Sequence, residues 1–346
     1  MRKVKAEIYL KSIQENAKTF KALTGARLCA VVKANAYGHG AEEVVNALAG
    51  IADCFAVALK DEAIALRTAA CDKDILILTP PLCEEDIVDC AKNGFIVTLP
   101  DLFTARLAVR VCKRYSLTLR AHLKVNTGMN RYGMHNSMLG KTCKLLKAER
   151  CVRAEGVYSH LYTCKKEISE NQRALFCRAE RIFKGYFPQG IAHLSATYGA
   201  TLGTTFAFDM VRIGIGLYGY LPAGAQGMPL KKAMRITAQV VTSRKYLFGG
   251  AGYGDAEKTL EGKRICVCRY GYADGFLRSS QNGVDGYDHH AGALCMDACL
   301  RLENGRRGEN VTVLSDAEAT GKAAGTIAYE TLCAATRRAE MCYVWE

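Results

Sequence analysis

No stretch of the chain approaches the roughly 18 to 20 consecutive apolar residues that a bilayer span requires. The opening residues, MRKVKAEIYLKSIQEN, carry charges where a secretory signal has its hydrophobic centre. A cytoplasmic protein is expected. No pair of CxxC motifs is present, so the 16 cysteines do not read as structural zinc ligands. Without a secretory signal they do not read as a disulfide framework either. Most of them, such as Cys29, Cys54, Cys266 and Cys268, lie within apolar runs, where free thiols act as small hydrophobes. Cys295 and Cys299 in CMDAC are four residues apart with no second pair, and read as core thiols too. Blocks of five or more basic residues are also missing, although the net charge is +13. Basic pairs such as Lys165-Lys166 and Arg306-Arg307 are interleaved with acids, which suits a basic surface facing anionic ligands better than a nucleic-acid groove. No repeat or low-complexity segment occurs.

What the 346 residues do contain is ample core material, 49% hydrophobic against 23% charged. That length fits a large barrel with a second module, or two ordinary domains. From residue 28 short β-branched runs alternate with amphipathic helical segments. The strand candidates are RLCAVVKA, CFAVAL, DILILT, FIVTL, LTLRAHLKV, VRAEGVYSHL, GIAHLSA and DMVRIGIGLYG. These are about eight, the number that closes a (β/α)8 barrel. AEEVVNALAG, DEAIALRTAA, EEDIVDCAKN and DLFTARLAVRVCKRY carry helical spacing, and several begin with acids, as a helix N-terminus favours. After residue 228 strand-like runs follow one another with turns between them. The expected fold class is α/β, with a barrel over 10–228 and a β-rich domain over 229–346, which the opening strand, 1–9, joins.

In such a barrel, functional groups sit at the C-terminal ends of the strands. Lys33, Lys124, Arg131, His160, Ser195 and Arg212 all fall there, and together they outline one pocket mouth. Lys33 ends the apolar run LCAVV, where an ammonium is costly unless it is used or reaches the rim. GIGLYG, from Gly214 to Gly219, matches the dinucleotide pattern GxGxxG, but no Asp or Glu occurs between Asp209 and Asp255 to hold a ribose. Glycines after the eighth strand make better sense as an amide nest for one phosphate. A lysine in a barrel mouth, a phosphate nest and no metal cluster are what a pyridoxal phosphate site requires.

AVVKANAYGHG, HLKVNTGMNRYGM, GVYSHL, VRIGIGLYG, GYGD, GYADGF, CMDAC and TIAYE stand in the order and rough spacing of a bacterial alanine racemase. The chain resembles that family over nearly its whole length. The resemblance implies a homodimer with shared sites, no metal and pyridoxal 5'-phosphate on Lys33, which is the base for one enantiomer. Tyr253 of the partner subunit is implied as the other base, helped by His160 and Arg212. Arg212 is also implied as the partner of the cofactor's ring nitrogen. Tyr37, Ser195, Gly214, Ile215 and Tyr329 match the phosphate-binding positions. Arg131 and the backbone of Met296 match the substrate-carboxylate positions, and Lys124 matches a lysine often carbamylated in this family.

The chain departs from the pattern in places. Leu194 stands where an asparagine usually precedes the serine, which is similar to the serine/alanine racemase domains of vancomycin resistance. Asn126 replaces the aspartate of VDTGM. The segment before CMDAC is short and contains His289 and His290, which read as loop histidines. The expected function is interconversion of L- and D-alanine for the cell wall. The alternatives are a serine racemase and a basic amino-acid decarboxylase of the same fold, the latter expecting an acid at the Arg212 position.

Overall fold

Short runs such as Leu28–Val31 and Ile96–Leu99 are buried throughout, as strands are when both faces of a sheet are covered. The computed structural model describes residues 4–225, 227–250, 252–253, 262–279, 293–302 and 305–346. His289 and His290 lie outside the described residues. The strands, in chain order, are β1 (Lys5–Tyr9), β2 (Arg27–Val31), β3 (Cys54–Val57), β4 (Ile75–Ile77), β5 (Ile96–Leu99), β6 (Leu119–Lys124) and β7 (Val152–Tyr158). They continue with β8 (Ile191–His193), β9 (Met210–Ile213), β10 (Met234–Lys245), β11 (Arg264–Cys268), β12 (Cys299–Arg301), β13 (Asn310–Leu314) and β14 (Glu340–Val344).

Strands β2 to β9 form one eight-stranded parallel sheet in the order β8-β7-β6-β5-β4-β3-β2-β9. Its ends meet through backbone hydrogen bonds from Asp209 to Ala192 (3.0 Å) and from Arg212 to Ser195 (2.9 Å), which bring the sheet round into a barrel. All eight strands foreseen in the sequence are present. The four expected helices form as Ala41–Leu48, Lys60–Thr68, Glu84–Lys92 and Leu102–Tyr115. Asp101 caps the last of these by accepting from the Thr104 N–H at 2.7 Å.

The chain divides into two units. One contains 13–34 and 44–230; the other contains 1–12, 35–43 and 231–346. In the second unit β1 lies between β10, antiparallel, and β14, parallel. Sheet order there is β12-β11-β10-β1-β14, with β13 also on β10. Two helices, Ala317–Ala323 and Ala328–Ala335, interrupt what the sequence suggested to be strands and turns alone. Their residues are mainly small, so no amphipathic stripe announces them; Asp316, accepting from the Glu318 N–H at 3.0 Å, marks the first. Segment 35–43, which belongs to this unit, was not distinguishable in the sequence from the barrel around it.

Candidate active site

The interior of the barrel departs from the usual aliphatic filling. Tyr158 on β7 reaches across β6 to put its hydroxyl 2.7 Å from Thr98 Oγ1 on β5, so both point inward. Its ring stacks on His193 with centroids 4.8 Å apart and an interplanar angle of 1°. Over the same ring lie the Arg212 guanidinium, at 5.0 Å, and Lys124 Nζ, at 4.6 Å. Period-two alternation explains this column, since residues two apart on a strand face one way. His122 and Lys124 share β6, and Met210 and Arg212 share β9.

Arg212, only 3% exposed, is the hub of the column. Its guanidinium donates to His193 Nδ1 (2.8 Å) and to the carbonyls of His193 (3.1 Å), Ser159 (2.7 Å) and Leu194 (3.0 Å). His160 Nδ1 lies 3.4 Å away. Neutral acceptors thus satisfy a charge whose burial without them would cost several kcal/mol. Arginine only donates, so His193 Nδ1 must accept. The His193 Nε2–H is then left to donate to His122 Nδ1 at 2.9 Å. Burial, then the charge of Arg212, holds the His193 imidazolium well below its usual range. For His122 burial, then Arg120 and Arg212, lowers the pKa to about 3. Both rings are neutral.

His160 follows β7, and burial lowers its pKa too, with Arg212, Lys124, Arg131 and Lys33 adding to the effect in that order. Four basic side chains therefore bear on one imidazole. Such a site favours anions. Lys124 is 5% exposed, and burial, then Arg212 and Arg131, holds its ammonium well below the usual lysine range. Among the described residues no carboxylate pairs with it. Arg131 sits on the loop after β6, exposed, and the loop is pinned by Asn126. The Asn126 Oδ1 accepts from Gly128 (2.9 Å) and Asn130 (3.1 Å), while its Nδ2 donates to Asn130 (2.8 Å). An amide thus makes the turn bonds that an aspartate here would accept, plus one as a donor, which a carboxylate could not make. At Gly133, where φ is +117°, a Cβ would lie 2.6 Å from the Asn126 nitrogen, so the return of this loop needs glycine.

Lys33 leaves the end of β2, and Gly214 and Ile215 leave the end of its parallel neighbour β9, paired to it through Cys29–Arg212 and Ala30–Ile213. The GIGLYG segment is not a dinucleotide loop: Ile215–Tyr218 is a 3₁₀ turn. The Tyr218 hydroxyl ties that turn to β2 by donating to the Val31 carbonyl at 3.0 Å. The hydroxyl that meets this turn is not that of Ser195. Ser195 is 0% exposed and its hydroxyl donates to the Phe206 carbonyl at 2.6 Å, so its proton is already committed. Two residues on, Thr197 Oγ1 accepts from the Gly216 N–H at 3.2 Å within the same turn. Nothing in HLSATYG told the two hydroxyls apart.

The second unit carries the remaining candidates. Tyr37 and Tyr329 lie with ring centroids 5.9 Å apart, and burial, then Tyr329, raises the pKa of the Tyr37 phenol. Tyr253 is 67% exposed and forms an antiparallel bridge with Ala293. The Met296 carbonyl accepts from the Ala273 N–H at 2.9 Å, which fixes its peptide. From Ala34 to Tyr37 four consecutive residues have φ of +52°, +52°, +53° and +53°, one turn of left-handed helix directly after Lys33. At about 1–2 kcal/mol per residue such a turn is expensive, and strain of this kind gathers at functional sites.

The donor set fits a phosphorylated aldehyde. It offers an amine at one strand end, backbone N–H groups at the next, and a guanidinium that cannot protonate a ring nitrogen.

The comparisons agree over the whole chain. Residues 8–222 match the family described as alanine racemase, N-terminal domain, and residues 233–343 match alanine racemase, C-terminal domain. An alanine racemase of Carboxydothermus hydrogenoformans is 34% identical over 99% of this chain and 100% of its own. One from Methanococcus maripaludis is 30% identical over 98% of each. Among solved structures, alanine racemase of Clostridium difficile 630 superposes with a TM-score of 0.88 at 27% identity, covering 100% of this chain and 96% of that one. The Bartonella henselae alanine racemase, described with covalently bound pyridoxal phosphate, superposes with a TM-score of 0.86 at 27% identity, over 99% and 100%. The barrel and the β-sheet unit are thus both matched, and the chain belongs to the alanine racemase family.

Proposed function

We propose that this enzyme interconverts L- and D-alanine by a two-base mechanism with pyridoxal 5'-phosphate held on Lys33, and that it supplies D-alanine for peptidoglycan. The observation that carries the reading is the pairing of β2 with β9, which sets Lys33 beside the Gly214–Ile215 turn. When bound, the cofactor supplies an electron sink for the substrate's α-carbon. Lys33 would hold its aldehyde carbon, and Thr197 with the Gly214 and Ile215 amides would take the phosphate, with Tyr37 and Tyr329 as further hydroxyls. Arg212 is locked by His193, Ser159 and Leu194. Toward the cofactor's ring nitrogen it would act as a donor that keeps its proton, which would limit side reactions such as transamination.

Racemisation needs a proton removed from one face and returned to the other. Lys33 serves one face. Tyr253 serves the other, from a second subunit in a homodimer with shared sites; its 67% exposure leaves the phenol open to another chain. A phenol of pKa about 10 needs cationic or hydrogen-bonding help to act as a base; Arg212 supplies the charge and His160, a neutral imidazole, the hydrogen bonding. Arg131 and the Met296 backbone hold the substrate carboxylate. Lys124 is a buried amine held toward its neutral form, which suits carbamylation. Tyr329, a bulky ring, favours alanine over larger amino acids.

Purified protein should be yellow, lose that colour on borohydride treatment with the label on Lys33, and racemise alanine in a chiral assay run beside serine. Colourless protein inert to both substrates would sink the reading, and a clear preference for serine would replace the substrate. Tyr253→Phe should lower kcat by at least about a hundredfold, the usual weight of a general base, with cofactor retained. Full activity in that variant would remove Tyr253 from the mechanism.

A further inference from the structure

Glu62 occupies the third position of the helix Lys60–Thr68, and its Oε2 accepts from the N–H groups of Ala58 (2.8 Å) and Leu59 (3.0 Å). That is the glutamate half of a capping box, an ordinary device at a helix start. The other oxygen does something a helix cap does not require. Oε1 accepts from the N–H of Ala34 at 2.6 Å, a residue 28 positions earlier in the loop of the neighbouring strand. Ala34 follows Lys33 directly, and it is the first residue of the left-handed turn. Since Ala34 is exposed, water would satisfy its N–H equally well; the carboxylate is not rescuing a buried donor. What the bond adds is geometry: one charged acceptor ties the point where β2 ends to the entry of the helix after β3.

We propose that Glu62 is a positioning residue for Lys33. By holding the Lys33–Ala34 peptide where the backbone enters the left-handed turn, it fixes the direction in which the Lys33 side chain leaves the strand. Left-handed backbone is unfavourable for every non-glycine residue in the turn, so a chain freed at its first N–H relaxes away from it. A small swing at Cα becomes a large one at Nζ, four carbons out. Reactive groups have to be held within about 0.5 Å of the working geometry. The proposal rests on the reading of Lys33 as the cofactor lysine.

The test compares wild type, Glu62→Gln, Glu62→Ala and a control, Asp101→Ala, which removes a cap from a different helix of the same barrel. Three quantities are read on the full chain. These are amide hydrogen exchange at Ala34 without cofactor, the yield of borohydride-fixed cofactor on Lys33, and kcat and KM separately. Both Glu62 variants should speed Ala34 exchange, lower trapping at limiting cofactor, and reduce kcat by about tenfold or more with KM changed less, as misplacement of a reacting group does. Asp101→Ala should lower the melting temperature to a similar degree and leave all three readings within about twofold. Glu62 variants that exchange, trap and turn over like wild type would overturn the proposal, as would equal losses in the Asp101 control. Should Glu62→Ala fail to fold, Glu62→Gln, which keeps one acceptor oxygen for two sets of donors, decides the matter on the same readings. If wild type itself neither traps cofactor nor racemises, the functional reading fails; exchange at Ala34 still reports whether Glu62 holds the turn.

Discussion

Arg212 is buried against neutral acceptors, and its influence extends through His193 to His122. It dictates the tautomer of His193, which dictates that of His122, so one guanidinium orders two imidazoles that burial keeps neutral. Protonating either would break that chain of hydrogen bonds. His39, buried in the other unit, titrates at about 4, and burial is the cause. With His122 at about 3, and His160 and His193 also lowered, all four fold with pKa values below the unfolded value of about 6.5. The sign follows from linkage. As pH falls from about 6.5 toward 4, the unfolded chain binds protons that the folded chain refuses, so stability is lost in that window. Each imidazole adds up to about 1.4 kcal/mol per pH unit. Urea unfolding at pH 7 and pH 5 should show this loss, and His122→Gln should flatten the slope by about one proton. An unchanged slope would mean that His122 is not refusing a proton in the folded chain.

At the scale of elements, the sequence read well wherever the signal is periodic. All eight barrel strands and four helices stood out because burial on both faces, or on one helical stripe, leaves a pattern in adjacent residues. The helices Ala317–Ala323 and Ala328–Ala335 did not, being built mostly of small residues without a stripe. The left-handed turn after Lys33 was equally silent. KANAY contains no glycine, and its residues have no local preference for positive φ apart from asparagine. The turn makes its own prediction. Ala34→Gly, at φ of +52°, should be neutral or stabilising by up to about 1 kcal/mol, because glycine removes the left-handed penalty. Ala65→Gly, in the right-handed helix Lys60–Thr68, should instead cost about 1 kcal/mol. Denaturant midpoints of the two variants measure the contrast, and equal losses would count against strain in the turn.

For the molecule as a whole, the candidate groups are distributed over two units: Lys33, Lys124, Arg131, His160, Thr197 and Arg212 on the barrel, Tyr37, Tyr253, Met296 and Tyr329 on the other. If sites are shared in a homodimer as proposed, inactive chains should complement one another. Mixed and re-paired Lys33→Ala and Tyr253→Ala chains place both native residues in one of the two sites of each heterodimer. Random pairing then restores about a quarter of wild-type activity. No recovery on mixing, with exchange of subunits confirmed, would confine each site to a single chain.

By itself the sequence determined the order of the strands, the ends at which polar residues collect, and the family. Those properties are carried by neighbouring residues and by short motifs in fixed order. Only the tertiary structure decided that Ser195 gives its proton to Phe206 while Thr197 meets the amide turn, and that Glu62 reaches Ala34. It likewise decided that Arg212, His193 and His122 share one column. The reason is physical: where a hydroxyl proton or a carboxylate oxygen goes depends on partners brought close by folding, from 11 to 71 residues away in these cases.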